Sequence, residues 1–130
     1  MPDPVAYFRE ANQNTTVICQ IESVTGVANL DAIAATEGVD VLWVGHFDLT
    51  QSMGIPAEFH HPRFLEAMRA VVETAKKHGK LAGIQPQNAA QAGEWIAMGF
   101  NVISWGSDVT VYREALRSAV TALRTATPIG

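Results

Sequence analysis

The chain has 130 residues, 48% of them apolar and 17% charged, which suits one domain with a real core and is too apolar for a disordered chain. A formal charge of −4 with nine scattered Lys and Arg offers no basic surface for nucleic acid, and no apolar run approaches the length that spans a membrane. The lone Cys19 forms no internal disulfide and the first residues lack a signal-peptide pattern, so a reducing, cytoplasmic setting is the default expectation.

In chain order, "PVAYFREAN" opens as a short helix-like tail. Strands are expected near residues 16–22, 40–45, 80–85 and 101–105, each short, mostly apolar and followed by turn residues and a helical period. After the first strand, "GVANLDAIAATEG" predicts one helix with Val27, Leu30, Ile33 and Ala34 on a shared face, stopping at Gly38. The second strand runs into "HFDLTQSMGIP", read as a loop. "HPRFLEAMRAVVETAKKHG" is the strongest helix pattern: Phe64, Leu65, Met68, Val71, Val72 and Ala75 form one stripe, Pro62 suits its first turn, Lys76 and Lys77 its last, and Gly79 its end. Asn88 caps a helix that stops at Gly99, and Asp108 is expected to cap the last helix through about Arg124. "GVDVLWVG" from Gly38 and "GFNVISWG" from Gly99 share a frame, either as a repeated unit or as the common look of a helix-Gly-strand-Gly junction.

This alternation predicts a single α/β domain over residues 1–130 with a parallel sheet. Four βα units are about half of an eight-stranded barrel, so the expected architecture is a small open sheet or a half-barrel whose edges associate with another chain.

In either architecture functional groups belong at the C-terminal ends of the strands. In "VICQIES", Gln20 and Glu22 share one face of the strand while Cys19 and Ile21 share the other. Asp48 lies just past the second strand, so Glu22 and Asp48 converge if the two strands are neighbours. Two such carboxylates are relieved by a shared proton, a basic partner or a divalent cation, and oxygen-only donors suit Mg²⁺ or Mn²⁺. The competing reading makes Glu22 a helix cap and Asp48 a turn cap. Gly45 lets the backbone approach a ligand, and the amides of Phe47 and Asp48 can receive a carboxylate. His46 is read as a loop histidine beside Phe47, His60 and His61 as solvated, and His78 as a structural helix end. "WGSD" at Trp105 to Asp108 is either an anion-holding turn or a plain cap, and Trp43, Trp95 and Trp105 are expected in a core or interface.

Together "QIES", "GVDVLWVGHFDLTQSMG", the "HP" helix start, "KKHGKLAGI" and "ISWGSD" resemble the HpcH/HpaI aldolase family over nearly the whole chain. The resemblance implies a metal-dependent carbon-carbon lyase of the phosphoenolpyruvate-binding (β/α)8-barrel superfamily, acting on 4-hydroxy-2-oxo or 2-oxo-3-deoxy acids. It implies Glu22 and Asp48 as ligands of a divalent metal, Mg²⁺ or Mn²⁺, with Gln20 in the same pocket and the amides near Phe47 and Asp48 holding the pyruvate carboxylate. The loop carries His46 and Phe47 where Gly-Pro-Ala-Asp-Leu is the commonest family pattern, which bears on substrate range. The family's histidine base and oxo-facing arginine fall outside this chain, because the resemblance begins at "YFREAN", near the end of the fourth helix of the barrel. The catalytic residues are therefore unassigned, and a homo-oligomer or a partner supplying the other barrel half is expected. The alternative expectation is a truncated, non-catalytic half-barrel that binds a divalent metal or 2-oxo acid, or that assembles with a partner chain.

Overall fold

The computed structural model describes residues 3–126. Four strands, β1 (Ile18–Ile21), β2 (Val41–Val44), β3 (Leu81–Ile84) and β4 (Val102–Ile103), form one sheet in the order β1-β2-β3-β4, with every pair parallel. The strands lie within the expected spans. In-line order with helical crossovers is the connectivity of a (β/α) barrel rather than of a doubly wound sheet, whose strand order reverses.

The chain enters through α1 (Pro4–Glu10), with the Asp3 carboxylate accepting from the Val5 amide, and a 3₁₀ turn at Ala11–Gln13. Between β1 and β2 the expected single helix is two: α2 (Val24–Ala28) and α3 (Leu30–Ala35). The break is at Asn29, whose side-chain amide donates to the Thr25 carbonyl at 2.8 Å while its backbone leaves the helical region at φ −106. An Asn that back-bonds in this way competes with helix continuation. A second difference is α4 (His46–Ser52), which occupies the stretch read as a loop. His46, Leu49 and Thr50 are its buried residues, an i, i+3, i+4 face masked in the sequence by two polar side chains.

The long α5 (Pro62–Lys77) follows its stripe: Phe64, Ala67, Met68, Val71 and Ala75 are buried, and it packs on β2 and β3. His61 caps this helix by accepting from the Arg63 amide through Nδ1 at 3.2 Å, where a solvated side chain was expected. Next, α6 (Ala89–Met98) starts from Asn88, whose side-chain oxygen accepts from the Gln91 amide, and ends at Gly99 with φ 118. The last helix, α7 (Asp108–Ala126), has Asp108 inside its first turn. Ser107 Oγ receives the Thr110 amide at 3.3 Å and Asp108 Oδ1 the Val109 amide at 2.8 Å, so Asp108 shares the capping with Ser107.

The core lies on one side of the sheet only. Ile21, Leu42, Val44, Ala82 and Ile84 point toward the helices and meet Phe64, Met68, Val71, Trp95 and Phe100. The opposite face carries Ile18 and Leu81, both exposed, the half-buried Trp43, and Val41, which is buried between them. No residue of α7 is buried. Among the described residues no helix is long and apolar enough to cross a membrane.

The two similar segments around β2 and β4 perform one physical task. Asp40 Oδ2 accepts from the Val17 amide at 2.8 Å and Asn101 Oδ1 accepts from the Ala82 amide at 3.0 Å, so each clamps the start of the preceding strand. Gly38 and Gly99 turn with positive φ, and the apolar residues after them, Val39 and Phe100, are buried.

Candidate functional site

Alternation along β1 puts Gln20 on the open face, and Glu22 follows one residue after the strand ends. Their side chains meet: Gln20 Nε2 donates to Glu22 Oε2 at 2.7 Å. On the neighbouring strand the Gly45 amide donates to the Ile21 carbonyl at 3.1 Å, which sets the Gly45 backbone beside Glu22. A Cβ on Gly45 would lie 2.8 Å from Gln20 Nε2 and 2.9 Å from Glu22 Cβ. Gly45 has φ −83, so glycine is required here for space and not for conformation.

From Gly45 the chain turns directly into α4. No side chain caps this helix, and its first-turn amides have no intrahelical carbonyl to reach, which leaves the Phe47 and Asp48 N–H groups as free donors. The turn is braced from behind. The fully buried Thr50 donates through Oγ1 to the Phe47 carbonyl at 2.8 Å and accepts the Ala57 amide at 3.0 Å, holding Ala57 at φ 61. A cavity of about 230 Å³ at this strand end is lined by Gln20, Trp43, Gly45, Phe47, Asp48 and Gln85, among others. Gln20, Gly45, Phe47 and Asp48 are thus brought together, and Glu22 joins them through its contacts with Gln20 and Gly45.

Among the described residues no group of three or more His, Cys, Asp or Glu that could hold a metal ion is assembled. Two carboxylates at adjacent strand ends fit a hard divalent cation that keeps several positions for water and substrate oxygens, as Mg²⁺ does.

His46 differs from its loop reading. It is the first residue of α4 and buried, with ring centroids 4.6 Å from Phe47, 5.2 Å from Phe59 and 5.4 Å from Trp95. Its Nε2 has no hydrogen-bond partner among the described residues. Burial pushes its pKa below the usual histidine value, and the nearby Asp48 charge only partly opposes this, so the ring is a neutral wall. His60 is exposed, as expected. His78 is structural: with Lys77 it contacts Asp31, at 2.9 Å and 2.6 Å respectively. The Lys77 hydrogen bond, followed by that of His78, holds the Asp31 carboxyl below its ordinary value.

Two residues of the site went unmarked in the sequence. Gln85 follows Leu81 and Gly83 in a period-two row, the signal that would have placed it beside Gln20 and Trp43. Thr50 had no such signal, because a helical Thr ordinarily reads as surface. Of the three tryptophans, Trp95 is core, Trp43 lies on the open face, and Trp105 is exposed in the turn before α7.

Consecutive parallel βα units with a carboxylate-bearing cavity at the C-terminal strand ends define a (β/α)-barrel segment. The chain belongs to the HpcH/HpaI aldolase/citrate lyase family, whose model matches residues 2–115. It is 40% identical over 118 residues to a 5-keto-4-deoxy-D-glucarate aldolase of Klebsiella pneumoniae subsp. pneumoniae, covering 91% of this chain and 46% of that protein. It is 42% identical over 109 residues to the protein of that name from an Enterobacter species, covering 84% and 43%. Among solved structures, an HpcH/HpaI aldolase/citrate lyase family protein from Burkholderia cenocepacia superimposes with TM-score 0.84 at 36% identity, over 91% of this chain and 46% of that one. An HpcH/HpaI aldolase from Desulfitobacterium hafniense gives TM-score 0.81 at 28% identity, over 95% and 49%. The chain spans about half the length of the relatives it matches, which makes its architecture half of the barrel.

Proposed function

We propose that this site serves a divalent-metal-dependent aldolase that cleaves 4-hydroxy-2-oxo or 2-oxo-3-deoxy acids to pyruvate and an aldehyde. The observation that supports it is the cluster of Gln20, Glu22 and Asp48 around the bare Gly45 backbone at one strand end. Glu22 and Asp48 would hold the cation, which when bound supplies Lewis-acid stabilisation of charge on the 2-oxo group and carboxylate. Gln20 orients the Glu22 carboxylate through its 2.7 Å hydrogen bond. The free amides of Phe47 and Asp48 receive the substrate carboxylate, and their rigid placement by Thr50 spares reorganisation as charge develops. Trp43 and His46 close the floor with apolar surface that keeps water from the reacting carbons.

In the overall reaction the C3–C4 bond breaks, the C4 hydroxyl proton leaves as the aldehyde forms, and a proton returns to C3, with no net oxidation or reduction. The base that takes the hydroxyl proton and the arginine that faces the oxo group belong, in this reading, to the remaining βα units of a full barrel, on this polypeptide or another. A homo-oligomer or a partner chain that brings that half is part of the proposal.

The test is calorimetric titration of Mn²⁺ into the purified chain, with and without pyruvate, for the wild type and a Glu22→Gln, Asp48→Asn double variant. Binding that tightens with pyruvate and is lost in the variant is expected. A folded wild type that binds no Mn²⁺ would overturn the reading.

A further inference from the structure

The two segments that carry Glu22 and Asp48 are tied to each other on both sides of those residues. The first tie precedes both carboxylates: the Gly45 amide donates to the Ile21 carbonyl at 3.1 Å. The second follows both: the Val24 amide, at the start of α2, donates to Ser52 Oγ, at the end of α4, at 3.1 Å. Backbone and these two bonds make a closed ring, with Glu22 on one rail and Asp48 on the other. One tie alone would act as a hinge, whereas two fix the orientation of the rails.

Local structure explains why this amide reaches across to another helix. Ser23 is extended, at φ −145 and ψ 158, and its Oγ accepts the Gly26 amide at 3.0 Å, so the N-cap side chain is already engaged. The Val24 amide, at the first position of α2, has no intrahelical carbonyl to reach and takes its acceptor from α4. On α4, Ser52 follows Asp48 by four residues, a spacing that puts both on one helix face. The face that meets the turn after β1 through Ser52 is therefore the one that carries Asp48, directed away from the buried His46, Leu49 and Thr50. Val24 and Ser52 are both exposed, so water can replace either partner and the bond adds little to folding. Its contribution is geometric.

We infer that Ser52 is a positioning residue: through Val24 it holds the turn after β1, and with it the Glu22 carboxylate, at a fixed setting relative to Asp48. This inference rests on the aldolase reading above, because that setting has a use only if the two carboxylates share a divalent cation. Small hard cations demand near-ideal octahedral geometry, so a shift of one donor against the other lowers affinity. Gln20 orients the Glu22 side chain directly, whereas Ser52 acts on the backbone that carries it.

The test compares wild type, Ser52→Ala and Ser52→Thr as full chains, by calorimetric Mn²⁺ titration and by amide hydrogen exchange followed with NMR. Alanine removes the acceptor and is the better helix former, so α4 loses nothing else, while threonine keeps the Oγ. Asp31→Ala is the control: it removes the contacts of α3 with Lys77 and His78, near the start of β3 and away from both carboxylates. Ser52→Ala is expected to speed exchange of the Val24 amide and to weaken Mn²⁺ binding about 3–10-fold, less than the roughly 10–100-fold of a partner that touches the ligand itself. Ser52→Thr is expected to restore both, and Asp31→Ala to bind Mn²⁺ as the wild type does. Unchanged Mn²⁺ affinity or unchanged Val24 exchange in Ser52→Ala, or an equal loss of affinity in Ser52→Thr or Asp31→Ala, would overturn this inference alone. A folded wild type that binds no Mn²⁺ would overturn the aldolase reading and this inference with it.

Discussion

Replacing Gly45 by alanine asks whether the site depends on a missing methyl group. The added Cβ would sit 2.8 Å from Gln20 Nε2, 2.9 Å from Glu22 Cβ and 3.2 Å from Glu22 Oε2. The Gln20 amide is the end of a flexible side chain and can swing away, but Glu22 Cβ is one bond from the backbone, so relief there must move strand ends that share the Gly45 to Ile21 hydrogen bond. Overpacking of this kind costs about 1–3 kcal/mol. Displacing the Glu22 carboxylate from its Gln20 partner is expected to weaken Mn²⁺ binding about 10–100-fold, as loss of an orienting contact typically does at metal ligands. Gly93 provides the control, because it lies inside α6 and an added Cβ there meets nothing within 4 Å. The same substitution at Gly93 should raise stability by about 0.8–1 kcal/mol through helix propensity. Urea unfolding followed by circular dichroism gives the two stabilities, and calorimetry gives the cation affinity. A Gly45→Ala protein that unfolds with the wild-type midpoint and binds Mn²⁺ with wild-type affinity would refute the argument.

Three further outcomes follow from the same geometry. Because burial depresses the His46 pKa, the folded state resists a proton that the unfolded chain accepts near pH 6.5, so its contribution is complete above that pH. Stability should then fall as the pH drops toward the depressed folded value, by at most about 1.4 kcal/mol per pH unit for one proton, and His46→Phe should flatten that slope in unfolding midpoints measured from about pH 5 to 8. Asn101→Ala should cost about 1–3 kcal/mol in urea unfolding because it strands the part-buried Ala82 amide, while Asp40→Ala should cost less because water replaces its bond to the exposed Val17 amide. Phe64→Ala, at a fully buried site in the core, should cost about 3–5 kcal/mol and bring the chain close to unfolding in the same assay.

The sheet and α5 were legible because their signals are local and repeated: short apolar runs bounded by Gly, and a stripe from Phe64 to Ala75 with Pro62 and Gly79 at its ends. The face shared by Gln20 and Glu22 was legible because a strand's period of two leaves no alternative. The helix at His46–Ser52 was hidden because its buried face uses His46 and Thr50, and the aromatic cage and loop clamp that justify burying them come from Trp95, Phe59 and Ala57, distant in sequence. The split at Asn29 was hidden for a different reason, since the side-chain bond to Thr25 competes with the backbone by a margin too small to see in composition.

That order also explains why one short sequence pattern carries both packing and chemistry. On the open face, Ile18, Val41 and Leu81 are in register as a bottom row of apolar side chains. Two residues along, Gln20, Trp43 and Gly83 form the middle row, where the Trp43 ring lies across Gly83 in space that a Cβ would occupy. Two residues further stand Glu22, Gly45 and Gln85, beyond the strand ends, where polarity costs least and substrate arrives. Side chains thus grow more polar from the foot of the strands to their rim, and a glycine appears in each upper row where a neighbour needs its volume: Gly83 for Trp43, and Gly45 for Glu22 and Gln20. A one-residue slip of β2 against β1 would turn Trp43 into the helix layer and set Val44 against the Glu22 carboxylate. The same register that closes the core is therefore what holds the two carboxylate-bearing strand ends around the bare backbone of Gly45.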